Sequence, residues 1–361
     1  MEQKPTGPIA RLALTAVALA VLTVTLIVPP QSAAGPTVTA MAPGVLTGLK
    51  PAAGAAQPEQ EPAGQRLVPM GCAVGIKLFC DGVLVVGMGE GETAGSAMGL
   101  QPGDVITHIN DTEVDTIEQT RALLGTLAGQ PLTLRIDRQG SPLTLTGTLP
   151  DGQLGVWIRD SMAGIGTMTY YDPATQRFGA LGHGINDVDT ARLMTMTSGS
   201  IMPAEVTAVR RGEKGKPGEL HGSFQVEQDL GQLYANTGAG VFGTLGETDL
   251  AGQTQPLPVA KRSQVHTGRA AIRSAVTGDG VEEYEVEIVR IYPRTEGERR
   301  NLMVKVTDKR LLDCTGGIVQ GMSGSPIIQD GRLVGAVTHV LVNDPTRGYG
   351  ILMETMLDAA G

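Results

Sequence analysis

From Gly152 onward the chain is a succession of short apolar segments separated by Gly, Asp and Pro, and this rhythm constrains the fold more than any other feature. Candidate strands are Leu154 to Ile158, Gly166 to Tyr170, Gly199 to Arg210, Gly222 to Val226, Val241 to Leu245, Val281 to Ile291 and Leu302 to Asp308. Each is short, apolar or alternating, and bounded by turn residues, as a strand with at least one buried face must be. Roughly eight such strands suit a pair of β-barrels. Fifty glycines and 3% aromatic residues fit that reading, since glycine supplies the freedom that frequent turns need. Helical patterning is scarce here until Ile351 to Ala360. The expected fold class is mainly β.

A chain of 361 residues, 41% of them hydrophobic, has material for two domains with real cores and a tail. A formal charge of -9 argues against a nucleic-acid partner, because phosphate binding needs a surplus of clustered Lys and Arg. The one basic cluster, Arg210-Arg211 with Lys214 and Lys216, is broken by Gly and Glu and reads as an exposed hairpin tip. Three cysteines cannot all pair. Cys72 and Cys80 could bridge in an oxidising compartment, but two buried thiols are the simpler reading. No Cys/His spacing marks a zinc site, and neither metal nor cofactor is expected.

Residues Leu12 to Val28 are apolar or Thr without a break, preceded by Lys4 and Arg11 and followed by Pro29-Pro30. As a helix this run extends roughly 25 Å, close to a bilayer's hydrocarbon thickness. The basic flank places residues 1–34 as a cytoplasmic stub and transmembrane signal-anchor, with the rest exported. A cleavable signal peptide ending near Gln31-Ser32-Ala33-Ala34-Gly35 is the alternative. Residues 35–70, rich in Ala, Pro, Gly and Gln, read as a flexible, protease-accessible tether.

Residues 71–150 read as a separate module. Gly82 to Val86 is a strand, Ala94 to Leu100 a short helix, Gln101 to Asp104 a turn and Val105 to Asn110 a second strand. Thr116 to Leu127 has helical spacing behind an Asp115 or Thr116 cap, and Leu132 to Ile136 alternates as a strand. The run from Ala94 through Gly99-Leu100 and Gly103-Asp104 to Ile106 resembles a PDZ domain of the bacterial protease type. That resemblance implies a peptide groove at Val74-Gly75-Ile76 and the strand continuing to Leu78. There backbone N–H groups would receive a chain-end carboxylate, and the strand edge would accept an added strand.

Residues 151–361 carry the chemistry. In Gly321-Met322-Ser323-Gly324-Ser325-Pro326, glycines flank a hydroxyl before the apolar Ile327-Ile328 and Leu333 to Val337. Such a turn can expose the hydroxyl while backbone N–H groups converge where an oxyanion would form. Serine attack also needs a base and a group that orients it. His183, between Gly182 and Gly184, is the best-placed histidine; His339, just after the serine loop, is its rival. For the acid, Asp187, Asp189, Asp308 and Asp313 all lie near one of the two motifs.

The serine loop resembles that of chymotrypsin-like and HtrA-like proteases. Together with Thr315-Gly316-Gly317-Ile318-Val319-Gln320 and Leu181-Gly182-His183-Gly184-Ile185, it resembles the SpoIVB peptidase family of endospore formers more closely. The resemblance implies a chymotrypsin-like double β-barrel following the PDZ domain, a catalytic set His183, Asp308 and Ser323, and an oxyanion hole from the N–H groups of Gly321 and Ser323. It further implies a membrane-tethered serine endopeptidase in the space between the forespore membranes. There it would cleave a regulator of an intramembrane protease to trigger sigma-K activation, with PDZ control and self-cleavage in the tether. The alternatives are a PDZ adaptor or a cell-envelope scaffold with an inactive protease-like domain.

Overall fold

The computed structural model describes residues 64–361, except 226–227, 248–251, 253, 279 and 294–298. The apolar run Leu12 to Val28 and most of the expected tether lie outside the described residues. Among those described, no helix is long and apolar enough to cross a membrane.

The strand Ala73–Met88 organises the first half of the molecule. Its first half, Ala73 to Phe79, pairs with Val156–Asp172 on one side, and from Val74 with Ser198–Arg210 on the other. Pairing continues through Arg177–Ala180, Gly240–Leu245 and Gly231–Thr237 back to Ser198–Arg210, which closes a ring of six strands. Alternate residues Val74, Ile76 and Leu78 point inward and pack with Met168, Phe178, Ile201 and Val241 in one buried cluster.

The register between Ala73–Met88 and Val156–Asp172 breaks after Phe79 and resumes at Leu84 opposite Arg159. At the break Gly82 takes φ 99°, and a Cβ there would stand 2.5 Å from the Ile106 carbonyl oxygen. Beyond it the strand leaves the barrel and pairs with Val105–Ile109. Helices Ala94–Met98 and Ile117–Thr126 and strands Pro131–Arg138 and Ser141–Thr148 complete this module around Val85, Ile106, Leu134 and Ile136. Thr116 caps the longer helix with a reciprocal capping box to Gln119. The chain then returns to the barrel along Val156–Asp172.

The module of residues 71–150 was expected to precede the barrels. Instead it is inserted between two neighbouring strands of the first one, and residues 71–80 belong to that barrel. The reason is the length of the strand: sixteen residues serve two cores in succession. The expected tether, 35–70, likewise takes in residues that are part of the fold. Arg66–Pro69 pairs with Tyr170 and Tyr171 on one side and Leu257–Pro258 on the other, with Leu67 and Val68 buried.

The second barrel is closed by Gly268–Thr277, Gly280–Ile291, Leu302–Val306, Asp344–Leu352, Arg332–Leu341 and Pro326–Gln329. Its core gathers Ile272, Val286, Ile288, Val304, Ile327 and Val337. A further cluster joins Leu67, Tyr170 and Phe242 of the first half to Ala336, Ile351 and the short helix Met353–Asp358. The barrels therefore meet through packed side chains. Cys72 and Cys80 are free thiols. Burial pushes them up to about 11 and about 12, away from thiolate chemistry.

Candidate active site

Ser323 sits where the two barrels touch. Gly321 (φ 96°) and Gly324 (φ 100°) give its turn two left-handed residues. The turn is fixed from the opposite barrel by Thr167, whose Oγ1 donates to the Gly321 carbonyl at 2.7 Å and whose N–H donates to the Ser323 carbonyl at 3.1 Å. A Cβ on Gly324 would overlap the Thr167 carbonyl oxygen, so the barrel contact itself requires glycine there. Among the described residues the N–H groups of Gly321 and Ser323 meet no backbone carbonyl. Ser325 is fully buried, and its hydroxyl donates to the Ser274 hydroxyl at 3.1 Å, which marks it as packing.

His183 follows a backbone turn of the strained kind. Leu181 (φ 68°) and Gly182 (φ 68°) are both left-handed, and the Gly182 N–H reaches the Ala180 carbonyl at 2.8 Å. A non-glycine residue held at such φ costs on the order of 1–3 kcal/mol, which the surrounding packing must sustain. The Nδ1 atom of His183 lies 2.9 Å from the Gly184 carbonyl. A carbonyl only accepts, so Nδ1 carries the proton and Nε2 keeps its lone pair, the tautomer a general base needs. Nε2 is buried and without a partner.

Serine and histidine meet at Thr338-His339. The Ser323 hydroxyl donates to the Thr338 carbonyl at 2.6 Å, and the His183 and His339 rings lie 4.9 Å apart, centre to centre. His339 Nδ1 and Thr338 Oγ1 are, like His183 Nε2, buried and unpartnered. These three unsatisfied polar atoms lie on or beside the residue pair that Ser323 and His183 both touch.

Burial lowers the pKa of His183, opposed by its bond to Gly184. His339 is pushed down to about 3, by burial first and then by the charge of His183. A histidine depressed in the folded state binds its proton more readily when unfolded, so stability falls as pH falls through about 6.5 toward about 3. Chemical denaturation across that window should show a steep acid loss in the wild-type chain, and His339→Asn should flatten it.

Asp308 does not fill the expected role. It is the N-cap of the helix Lys309–Thr315, its Oδ1 accepting from the Arg310 N–H at 2.8 Å. Its Oδ2 accepts from Arg310 Nη2 at 2.9 Å and from the Glu285 N–H at 3.2 Å. Its carboxylate is held below the usual range chiefly by the Arg310 hydrogen bond. Neither ring nitrogen of His183 bonds to it. The strand expected to end at Asp308 stops at Val306, and the side chain turns to cap a helix instead. Asp308→Asn should therefore lower thermal stability while leaving turnover within about tenfold of wild type, since a triad aspartate would cost about ten-thousand-fold. Asp187, fully buried, is occupied by Thr190, the Asp189 N–H and Arg159.

The expected peptide groove is also displaced. Val74, Gly75, Ile76 and Leu78 lie in the first barrel with partners on both edges, so no strand can add there. A Cβ on Gly75 would stand 2.5 Å from Phe224 Cβ, which makes that glycine a packing requirement. Among the described residues an available edge lies at Val156 to Ile158, which pairs only with Gly87, Met88 and Val85 of Ala73–Met88. This segment follows Gly155 (φ 67°), and the nearby Asp160 accepts from the Ile117 N–H at the start of helix Ile117–Thr126, at 2.9 Å. Trp157 on this segment is 69% exposed. Its signal in the sequence was the Leu154 to Ile158 run, which read simply as a first barrel strand.

The family model described as SpoIVB peptidase S55 matches residues 151–357, from the return strand through both barrels, and a PDZ-domain model matches residues 90–138 within the insertion. Among solved structures the chain is similar to the active form of the Rv3671c protease from M. tuberculosis, with 14% identity over 55% of this chain and 75% of that one and a TM-score of 0.30. It is similar also to the HtrA-type protease AlgW with tripeptide, with 12% identity over 54% of each chain and a TM-score of 0.33. No curated protein matches. With peptidase and PDZ matches falling on the barrels and on the insertion between their strands, the molecule is a PDZ-containing serine endopeptidase. Its family is plain too: the chain belongs to the SpoIVB peptidase S55 family, whose model spans more than half of its length.

Proposed function

We propose that Ser323 is the nucleophile and His183 the general base, and that the enzyme acts as a membrane-tethered signalling protease of sporulation. The observation that carries the catalytic part is the meeting of both side chains at Thr338-His339, with His183 in the tautomer that leaves Nε2 free. For reaction the Ser323 hydroxyl turns from the Thr338 carbonyl to Nε2 and gives up its proton as its oxygen attacks the substrate carbonyl. The new oxyanion falls to the N–H groups of Gly321 and Ser323. The Gly184 carbonyl keeps Nδ1–H in place while the imidazolium forms. Nε2–H then protonates the leaving amine, and water repeats the sequence to release the acyl group.

The biological setting rests on family membership. The substrate proposed is a protein regulator of an intramembrane protease in the space between the forespore membranes, with sigma-K activation as the outcome. Self-cleavage would fall in the tether before Arg66, where the strand Arg66–Pro69 begins. Control is assigned to a peptide or chain end pairing with the Val156 to Ile158 edge. The test is to treat the full-length chain in membranes with a serine-directed phosphonate and the proposed regulator. Wild type should be labelled at Ser323 and should cleave the regulator; labelling elsewhere would remove the nucleophile assignment.

A further inference from the structure

The loop that carries His183 is held at three points, and two of them belong to the inserted module. On the barrel side Asn236 accepts from the Ile185 N–H at 2.8 Å and donates to the carbonyls of Ile185 at 2.9 Å and Met194 at 3.0 Å. On the other side Arg192 donates to the Gly103 carbonyl, in the turn before Val105–Ile109, at 2.9 Å. The third point is Arg159, on the return strand directly after the unpaired Val156 to Ile158 edge. Its guanidinium forks, one arm to the Asp187 carboxylate and the other to Asp189 at 2.8 Å.

Asp187 is the centre of this loop. Fully buried, it folds the chain after His183 into a closed turn by accepting from the Asp189 N–H at 3.1 Å and from Thr190 at 2.9 Å through both its N–H and its hydroxyl. A buried carboxylate persists only when paired, and Arg159 is the cation that pairs it. A cavity of about 240 Å³ lies beside the Arg192–Gly103 contact, between Leu84, Gly103 and Val105 of the module and Arg192 to Thr195 of the loop. The junction thus joins module and loop by polar tethers beside the apolar packing of Ile185 and Met194 against Leu84 and Val105, and the tethers are what fix the segment from Asp187 to Thr190.

We propose that Arg159 is a positioning residue for the general base: rooted in the PDZ return strand, it fixes the His183 loop through Asp187 and Asp189, and it is the connection by which the inserted module acts on catalysis. The inference rests on His183 being the base. Loosening the loop would let water reach His183 and move its pKa up toward the ordinary value. The acid limb of the kcat/KM profile reports the free base, so that limb would shift to higher pH.

The experiment compares full-length wild type, Arg159→Met, Arg159→Lys, Asp189→Asn and His183→Ala for kcat, KM, the pH profile and melting temperature. Arg159→Met should lower kcat by about tenfold or more with KM changed less than about twofold, and should shift the acid limb upward; Arg159→Lys should restore part of both. If Arg159→Met does not fold, Asp189→Asn decides: its carboxylate is 46% exposed, and it should shift the limb in the same direction by a smaller amount. A wild-type kcat and pH profile in Arg159→Met, or in Asp189→Asn where the first is unfolded, overturns the proposal. An active His183→Ala would instead overturn the assignment of the base beneath it.

Discussion

Ser323→Ala should abolish peptide hydrolysis and phosphonate labelling while leaving the melting temperature close to wild type. The hydroxyl makes one hydrogen bond, to the Thr338 carbonyl, and the side chain is 7% exposed at the barrel junction. Removing it leaves a single carbonyl lone pair unmatched, about 1 kcal/mol against a folded domain's stability. Losing the nucleophile costs about a million-fold in turnover in enzymes whose serine and histidine act as a unit. Ser325→Ala should show the reverse. Its hydroxyl bonds a fully buried Ser274, so the variant would lose stability by about 1–3 kcal/mol and keep most of its turnover. Active-site titration beside thermal melts of both variants separates the two serines. An active Ser323→Ala would end the assignment.

Gly324→Ala is expected to damage both activity and stability, and for a structural reason. Its φ of 100° lies where a side chain is strained, and the added Cβ would overlap the Thr167 carbonyl oxygen and press on the Leu181 N–H, the start of the turn into His183. Neither is a flexible side chain that could swing away. The loop must back out of the junction, taking with it the Thr167 bonds to Gly321 and Ser323 and widening the gap between nucleophile and base. A displacement of about 1 Å at reacting atoms costs on the order of a hundredfold in rate. Strain and the lost bonds together should remove several kcal/mol, about 3 or more, of stability. Denaturant melts with kcat measured below the transition would check this; wild-type values for both would mean the loop is not seated as described.

The parts of the site that could be read from the sequence were those in which the backbone's local needs wrote the residues. Gly321 and Gly324 around Ser323, and Gly182 before His183, are glycines because their φ values are positive, so the motifs announce themselves within a few residues. The barrels were legible for a similar reason, through short strands with regular breaks. Asp308 was read as a triad member from its position in the resemblance, fifteen residues before Ser323, but its partners are Arg310 and Glu285, and helix capping is a commoner fate for an aspartate at a strand end. Val74 to Leu78 looked like a groove strand because an apolar strand with a glycine fits either a barrel or a PDZ edge. Only the pairing with Ser198–Arg210, far along the chain, separates the two. The insertion was hidden for the same reason, since one unbroken strand shows no boundary.

That strand, shared by two cores, bears on how the first barrel closes. Phe79 and Ser161 are neighbours in the first barrel, yet the chain between them runs out through the inserted module and back. Closing a flexible loop of that length carries an entropy cost that grows with the logarithm of its length. A module with its own core and its two ends side by side at Leu84 and Arg159 would meet that cost if it folds ahead of the barrel hairpin. A destabilising change deep in the module's core, such as Ile106→Ala, is therefore expected to lower turnover in step with the loss of module stability, read from activity assays beside denaturant melts.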